Sequence, residues 1–268
     1  MHALYRDHMG NDLSVVQDAR ISFDKSSTAI GYDVVEIPNR DDHASQKYAN
    51  VPALNKGDVS LVNFLARGCR SGQWDDLIEL VHEDGATRQE IDEILKYVKK
   101  MPTHWTPFAH QIIKLRMKAP VPIRTQCFKH KVGFVENEES RRYISSTPEI
   151  FIPEFRSAPE GDIKQGSGGL HPENEFLKEV YTSHTNAAVR LYEQFIKEGV
   201  APEQARFVLP QGALVNWVWT GSLYAFAEWY NKRSDRSHSQ GEIADLAEEA
   251  AKIISVLYPV SWKALTQK

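Results

Sequence analysis

The sequence predicts an α+β fold in which helices pack on a small, mostly antiparallel sheet. Apolar residues recur at helical spacing through most of the last third of the chain. Between Ile113 and Met117, by contrast, apolar and cationic residues alternate, which is typical of a strand with one face in water. The 268 residues can bury a substantial core within one domain. Together these observations favour helices and a small sheet in the α+β class.

The N-terminal region predicts one short helix followed by a long loop. A turn at Gly10 leads to Asp12, which we predict to be the N-cap of a helix carrying Val15 and Val16. Residues 24–58 are polar and irregular. We therefore predict little regular structure there.

Residues 71–100 contain a well-marked helix start. Thr87 and Glu90 have the spacing of a capping box. An apolar stripe follows at helical spacing, formed by Ile91, Ile94, Leu95 and Val98. Lysines near the end of this stretch suit the negative end of a helix dipole. We therefore predict a helix beginning near Thr87.

In the rest of the chain, prolines, glycines and the spacing of apolar residues indicate where helices and loops begin and end. Pro120 and Pro122 should end the strand, and a helix is predicted from Ile123 with Gln126, Lys129 and His130 on one face. Glycines predict a surface loop over residues 156–172. Four helical stretches are predicted after it: one that ends at Gly199, one around Glu203–Phe207, one over the aromatic-rich Asn216–Arg233, and one from Gln240 to Pro259.

Composition excludes several classes of protein. The formal net charge of −4 argues against a general nucleic-acid binder. No apolar run is long enough to cross a bilayer, and the first ten residues lack the apolar core of a signal peptide. Cys69 and Cys127 form neither a metal-binding pattern nor a disulfide framework. We therefore predict a cytoplasmic protein with no metal, no membrane contact and no nucleic-acid partner.

Residues 126–143 are the densest polar segment. Lys129, His130 and Lys131 form a cationic triplet, and Arg141 and Arg142 follow. Such cations bind phosphates, and the amides of Gln and Asn suit the edge of a pyrimidine. The alternative is that these residues are solvated helix ends, which on composition alone is the more common case.

Other polar residues have ordinary structural explanations. His104 stands beside Trp105 and is explained by packing, while Arg206 and Arg233 are explained as surface cations. Cys127 is placed beside Gln126, but no base is predictably near it, so structural burial is the simpler interpretation.

Five segments taken together resemble the flavin-dependent thymidylate synthases. Their order and separations match that family over nearly the whole chain. They are MGNDLSVVQDARISF from Met9, HWTPFAH from His104, residues 126–143, ARFVLP from Ala205, and residues 220–243 ending in SQGEI.

Three departures indicate a divergent member of the family, of the kind associated with phages. The family signature is Arg-His-Arg, seven residues, then Ser; here Lys129–Lys131 replaces the triplet and eight residues precede Ser140. Lysine cannot reproduce the fork of arginine. The flavin-site positions that often hold Asn or Arg are changed to Ser222, Tyr224 and Glu228. Residues 71–100 form an insertion.

The resemblance implies roles for named residues. The positions that match the dUMP site are Gln126, Lys129, Glu138, Ser140, Arg142, Arg206 and Arg233. Arg233 matches the residue that polarises the uracil ring. The positions that match the FAD site are Ser22, His104, Thr106, Lys129, His130, Lys131, Glu138, Ser222, Tyr224 and Glu228.

The resemblance also implies an activity and an assembly. The activity is the methyltransferase reaction that converts dUMP to dTMP, with methylenetetrahydrofolate as the one-carbon donor, and with NADPH-reduced FAD rather than a cysteine nucleophile. The assembly is a homotetramer whose active sites are shared between subunits. Residues 1–268 would form one domain.

Three alternatives remain open at this point. The chain could be a catalytically inactive relative that still binds flavin or nucleotide. It could be a cysteine-dependent nucleotide methyltransferase, or an interaction module that uses its glycine-rich loop and the insertion helix. The sequence favours the enzyme, because Gln126, Ser140, Arg142, Arg206 and Arg233 are all intact.

Overall fold

Antiparallel strands from both halves of the chain form the central sheet. A computed structural model describes residues 1–69, 87–89, 104–159, 166–236 and 239–266. The sheet has four strands in the order β1-β4-β6-β5, and every neighbouring pair is antiparallel. This arrangement, with helices packed against it, confirms the predicted α+β class.

Strands and helices are interspersed along the described part of the chain. The strands are β1 (His2–Met9), β2 (Gly31–Glu36), β3 (Tyr48–Ala53), β4 (Ile112–Pro120), β5 (Phe134–Glu138) and β6 (Leu214–Ser222). The helices are α1 (Asp12–Arg20), α2 (Lys56–Leu65), α3 (Thr106–Ala109), α4 (Val121–Cys127), α5 (Asn174–Lys197), α6 (Pro202–Ala205), α7 (Leu223–Arg233), α8 (Gly241–Leu257) and α9 (Pro259–Thr266). Short 3-10 turns cover Ile21–Phe23 and Arg206–Val208.

An aromatic cluster lies between the sheet and α7. The Trp219 ring stacks on Phe134 with 4.1 Å between centroids, and Trp229 meets it edge-on at 5.1 Å. Phe226 packs edge-on against both Phe134 and Trp219. All four residues are buried. The cluster therefore fixes α7 against β5 and β6, on which the candidate site depends.

The predicted loop over residues 24–58 is wrong. Strands β2 and β3 form a two-stranded antiparallel sheet there, and α2 follows. The β2 side chains are almost all exposed. A strand without a buried face lacks the apolar alternation from which strands are recognised, which explains the error.

The helix predicted over Asn216–Arg233 is wrong in its first part. Residues 214–222 are strand β6, paired along its whole length with β4. Burial alternates along it, so that Trp217 and Trp219 face inward. Helix α7 begins only at Leu223, where the Ser222 hydroxyl accepts a hydrogen bond from the Ala225 amide at 3.1 Å.

Asp12 is not the cap that the sequence predicted. Asn11 caps α1, and its side chain accepts from the Ser14 amide. Asp12 is fully buried and accepts from the backbone amides of Val260 and Ser261 at 2.7 and 2.8 Å. It therefore joins the first helix to the start of the last one.

Other boundaries follow the prediction more closely. Strand β4 and helix α5 are confirmed, and α8 ends before Pro259, where α9 begins. Helix α4 starts at Val121 and already ends at Cys127, so it does not carry Lys129 or His130 as predicted. The insertion helix predicted near Thr87 lies outside the described residues, apart from residues 87–89.

Helix α5 has few intramolecular contacts for its length. Among its 24 residues only Asn174, Thr185 and Tyr192 are buried. Phe176 and Val180 are exposed. No helix of the described residues is both long and apolar enough to span a membrane.

Candidate active site

The cationic triplet lies in the turn between α4 and β5, beside α7. Gly133 ends this turn in the left-handed region at φ +78°, and its carbonyl accepts from the Ser222 amide at 3.1 Å. A Cβ at Gly133 would lie 2.8 Å from the Ala225 Cβ, closer than side chains approach. Glycine therefore permits both the backbone conformation and the contact with the start of α7.

The other end of α7 contacts the same turn through Arg233. The Arg233 Nε donates a hydrogen bond to His130 Nε2 at 3.0 Å, and both residues are half-buried. The imidazole must be neutral to accept this bond. Its pKa is lowered to about 4, first by burial and then by the charges of Arg233 and Lys232. Arg233, predicted for the nucleotide site, is thus in direct contact with His130, predicted for the flavin site.

We expect His130 to remain neutral until the pH falls to about 4. Because its pKa is lower in the folded state than its ordinary value, neutral His130 stabilises the fold above pH about 6.5, and this contribution is lost as the pH falls toward 4. An NMR titration that follows the imidazole nitrogens of His130 would measure this pKa. Arg233→Gln should move the midpoint upward, and a wild-type midpoint near 6.5 would contradict the arrangement.

The two lysines of the triplet differ in their surroundings. The Lys131 ammonium forms an ion pair with Glu136 and lies 5.3 Å from the centre of the Phe128 ring. Lys129 is exposed, and its ammonium forms no ion pair within the described part of the chain. Lys129 is therefore the more available of the two for an anionic ligand.

Gln126 is held by a partner that the sequence did not predict. Its Nε2 donates to the Oε1 of Gln240 at 2.7 Å, immediately before α8. Arg156 makes two bonds to Glu242, at 3.0 and 3.3 Å, and its guanidinium packs on Gly241. This pair fixes the start of α8, and with it the position of Gln240.

A cavity of about 360 Å³ gathers three of the predicted nucleotide residues. Glu138, Ser140 and Arg206 all line it, together with Arg124 and Arg141. Arg124 Nε lies 3.0 Å from a Glu138 carboxylate oxygen. Burial raises the pKa of Glu138, and the Arg124 charge opposes that shift. The donors fit an anionic ligand with polar substituents.

Arg142 does not line this cavity. Its Nη2 donates to the Tyr143 hydroxyl at 2.6 Å, and its guanidinium lies 5.0 Å from the centre of that ring. The backbone amide of Tyr143 donates to the Ser140 carbonyl at 3.0 Å, closing a four-residue turn. The backbone amide of Arg142 donates to the Ser140 hydroxyl at 3.4 Å, but the turn directs the side chains of its two central arginines differently.

The predicted flavin residues come from several elements of the chain, many of them next to α7. The His104 ring lies 6.0 Å from Phe64, and the Trp105 ring lies 5.5 Å from Tyr224. Thr106 is exposed at the first residue of α3, and Ser22 is exposed in its 3-10 turn. Within one chain, these residues do not share a described pocket.

The changed flavin positions lie along α7. Ser222 is buried, and its hydroxyl caps the helix. The pKa of Tyr224 is raised to about 12, mainly by burial and then by Glu228. Glu228 forms an ion pair with Lys232 at 3.4 Å. An aromatic surface at Trp105 and Tyr224 beside polar groups has the chemistry that a flavin ring contacts.

Neither cysteine has the surroundings of a nucleophile. Burial raises the pKa of Cys127 to about 12 and that of Cys69 to about 11. Both thiols are free and buried. Since the thiolate is the reactive form, both are expected to be inert near neutral pH.

Sequence reasoning missed Arg124, Arg141 and Gln240 as site residues. Arg141 is next to Ser140, and Gln240 is within the SQGEI segment, so proximity to matching motifs was a usable signal. Arg124 offered no such signal, because its role depends on contact with Glu138 from another element.

Known proteins similar to this chain agree in family and fold. The family model described as thymidylate synthase complementing protein matches residues 6–260. A flavin-dependent thymidylate synthase of Kosmotoga olearia is 30% identical over 219 residues, covering 80% of this chain and 92% of its own. One from Thermus thermophilus is 29% identical, covering 81% and 78%.

Solved structures show the same fold at lower identity. The UMP/dUMP methylase PolB from Streptomyces cacaoi, bound with 5-Br dUMP, has a TM-score of 0.65 at 20% identity, covering 98% of this chain and 94% of its own. Its complex with 5-Br UMP gives a TM-score of 0.67 at the same identity, covering 98% and 92%. Taken with the match over residues 6–260, these similarities show that the chain belongs to the family of the flavin-dependent thymidylate synthases, the thymidylate synthase complementing proteins.

Proposed function

We propose that this protein is a thymidylate synthase that converts dUMP to dTMP by reductive methylation, with FAD as its cofactor. The observation that carries the proposal is the cavity that Glu138 and Ser140 share with Arg206, which comes from a distant segment of the chain. Family membership and the dUMP-derived ligand of the similar PolB structure support the same substrate.

The cavity residues would bind the nucleotide through its charge and hydrogen-bonding groups. Arg206 offers a guanidinium whose Nε donates to the Glu203 carbonyl at 3.2 Å. Its remaining N–H groups can meet two phosphate oxygens, and the Ser140 hydroxyl can meet a third. Gln126, held by Gln240, would present its amide to the uracil edge.

Arg233 would act on the uracil ring. Negative charge develops on the ring when carbon 5 is activated, and a fixed cation nearby stabilises that charge. The hydrogen bond to neutral His130 orients the guanidinium. Because the imidazole carries no negative charge, it does not offset the positive charge of Arg233. Arg233 therefore meets the requirement for a preorganised electrostatic group.

Reduced FAD, when bound, supplies the hydride for the new methyl group. The residues proposed to hold it are Ser22, His104, Thr106, Lys129, His130, Lys131, Glu138, Ser222, Tyr224 and Glu228. We propose NADPH as the reductant and methylenetetrahydrofolate as the one-carbon donor.

We also propose a homotetramer with shared active sites. One observation supports it: α5 leaves most of its length uncovered within one chain. A cytoplasmic location is consistent with two free, buried cysteines.

Cys127→Ala should retain activity close to that of the wild type. The thiol is fully buried with a pKa of about 12, so it supplies no thiolate for attack on uracil. Steady-state dTMP formation by the variant would measure this. Cys69→Ala is the matched control, and complete loss of turnover in a correctly folded Cys127 variant would restore a thiol mechanism.

The inactive-relative alternative is not favoured. The substituted residues retain charge or polarity, and Glu138, Ser140 and Arg206 still meet in one cavity. The cavity supports nucleotide binding, and the similarity to flavin-dependent thymidylate synthases supports turnover.

Formation of dTMP tests the proposal directly. Purified protein would be mixed with dUMP, methylenetetrahydrofolate and NADPH, with and without FAD, and the products measured by mass spectrometry. We expect dTMP that depends on FAD. A yellow, tetrameric protein that forms no dTMP would show that the flavin site persists without the reaction.

A further inference from the structure

Arg141 contributes a guanidinium to the cavity that holds Ser140 and Arg206. We propose that Arg141 binds the phosphate of the nucleotide substrate, together with Arg206. The identity of that nucleotide rests on the proposed function. Arg142, one residue later, faces the Tyr143 ring instead.

Three arginines and two carboxylates line the cavity: Arg124, Arg141, Arg206, Glu138 and Glu139. Arg124 is paired with Glu138 at 3.0 Å, and Glu139 accepts from the side-chain amide of Asn216 at 3.0 Å. Among the described residues, neither Arg141 nor Arg206 forms an ion pair with a carboxylate. The lining therefore carries a net positive charge, and two of its three guanidiniums are not engaged in ion pairs.

The Arg141 guanidinium is oriented by one hydrogen bond, but not all of its N–H groups have an acceptor. Its Nη1 donates to the Ser146 carbonyl at 2.5 Å, which fixes the guanidinium plane. Its Nε is buried and has no hydrogen-bond partner within the described part of the chain. A buried N–H without an acceptor is unfavourable, so a ligand oxygen that accepted from this group would be bound favourably.

A phosphate suits this arrangement better than a single carboxylate. Two guanidiniums and the Ser140 hydroxyl offer several donors, and a phosphate has three terminal oxygens to accept from them. The cavity volume of about 360 Å³ is within the range of small-molecule sites. The turn that closes at Tyr143 separates Arg141 from Arg142, so only the first of them reaches this position.

Comparison of dUMP with deoxyuridine separates phosphate binding from a general structural role. Calorimetry would measure both ligands with the wild type and with Arg141→Ala. We expect the variant to bind dUMP about 10- to 100-fold more weakly, the usual effect of losing hydrogen bonds to a charged group. Deoxyuridine, which has no phosphate, should bind both proteins equally.

Two further variants control the comparison. Arg190→Ala removes one positive charge from exposed α5 and should leave dUMP binding unchanged. Arg141→Lys retains the charge without the fork, so its binding should be intermediate. It also provides a test if the alanine variant does not fold.

The outcomes distinguish this inference from the proposed function. Unchanged dUMP binding by Arg141→Ala, equal weakening for both ligands, or a wild type that does not bind dUMP would overturn the role of Arg141. A phosphate-specific loss in a protein that forms no dTMP would support Arg141 and contradict the proposed function.

Discussion

Arg233→Ala should lower kcat for dTMP formation by about 100- to 1000-fold, the typical effect of removing one preorganised group that stabilises developing charge. The guanidinium is held at the end of α7 by its 3.0 Å bond to His130. Loss of that single bond should lower the free energy of unfolding by only about 1 kcal/mol. Activity should therefore fall far more than stability.

The neighbouring Lys232→Ala provides a matched control. Lys232 is exposed and pairs with Glu228, so its removal changes charge at the same helix end without touching the proposed uracil contact. Single-turnover kinetics with bound flavin would report the chemical step, and circular dichroism would report folding. Near-normal turnover by a folded Arg233→Ala protein would refute the assignment of Arg233.

Trp219→Ala should produce the largest loss of stability, about 3–5 kcal/mol, as for other large aromatic residues deleted from a core. Trp219 is fully buried in the central sheet. Its ring stacks on Phe134 at 4.1 Å and contacts Trp229 at 5.1 Å. Removing it would leave a cavity between the sheet and α7, and would loosen the helix that carries Arg233.

Val135→Ala is the appropriate comparison for this effect. Val135 is next to Phe134 on β5 but is 67% exposed, so its truncation should change the free energy of unfolding by no more than about 0.5 kcal/mol. Urea unfolding at one fixed protein concentration would measure both variants. Similar midpoints for the two would show that the aromatic cluster does not support the fold as described.

Elements with a regular apolar period were predicted correctly from the sequence, and elements without one were not. Strand β4 and helix α8 were predictable because each has a regular apolar period, which reflects burial of one face. Helix α5 was predictable from the same kind of spacing, although only three of its residues are buried within the chain. Strand β2 was not, since its side chains are mostly exposed and carry no such period. Strand β6 was mistaken for a helix because its aromatic residues continue into α7 without a break.

The residues of the candidate site were also predicted only in part. The resemblance assigned Glu138, Ser140 and Arg206 to a dUMP site, and the structure places the three around one cavity. The flavin assignments, from Ser22 to Glu228, stay predictions. The resemblance also assigned Arg142 to the dUMP site, whereas Arg141 is the arginine of this turn that lines the cavity.

The sequence by itself determined the family, the α+β class and the polar, cationic character of the candidate site. These depend on residue type, order and local period, which the chain carries without reference to its neighbours. Only the tertiary structure decided that Asp12 caps the last helix, that Gln240 holds Gln126, and that Arg141 rather than Arg142 enters the cavity. Each of these depends on the direction of a side chain relative to an element distant in sequence or on the geometry of a turn, and local periodicity does not encode that direction.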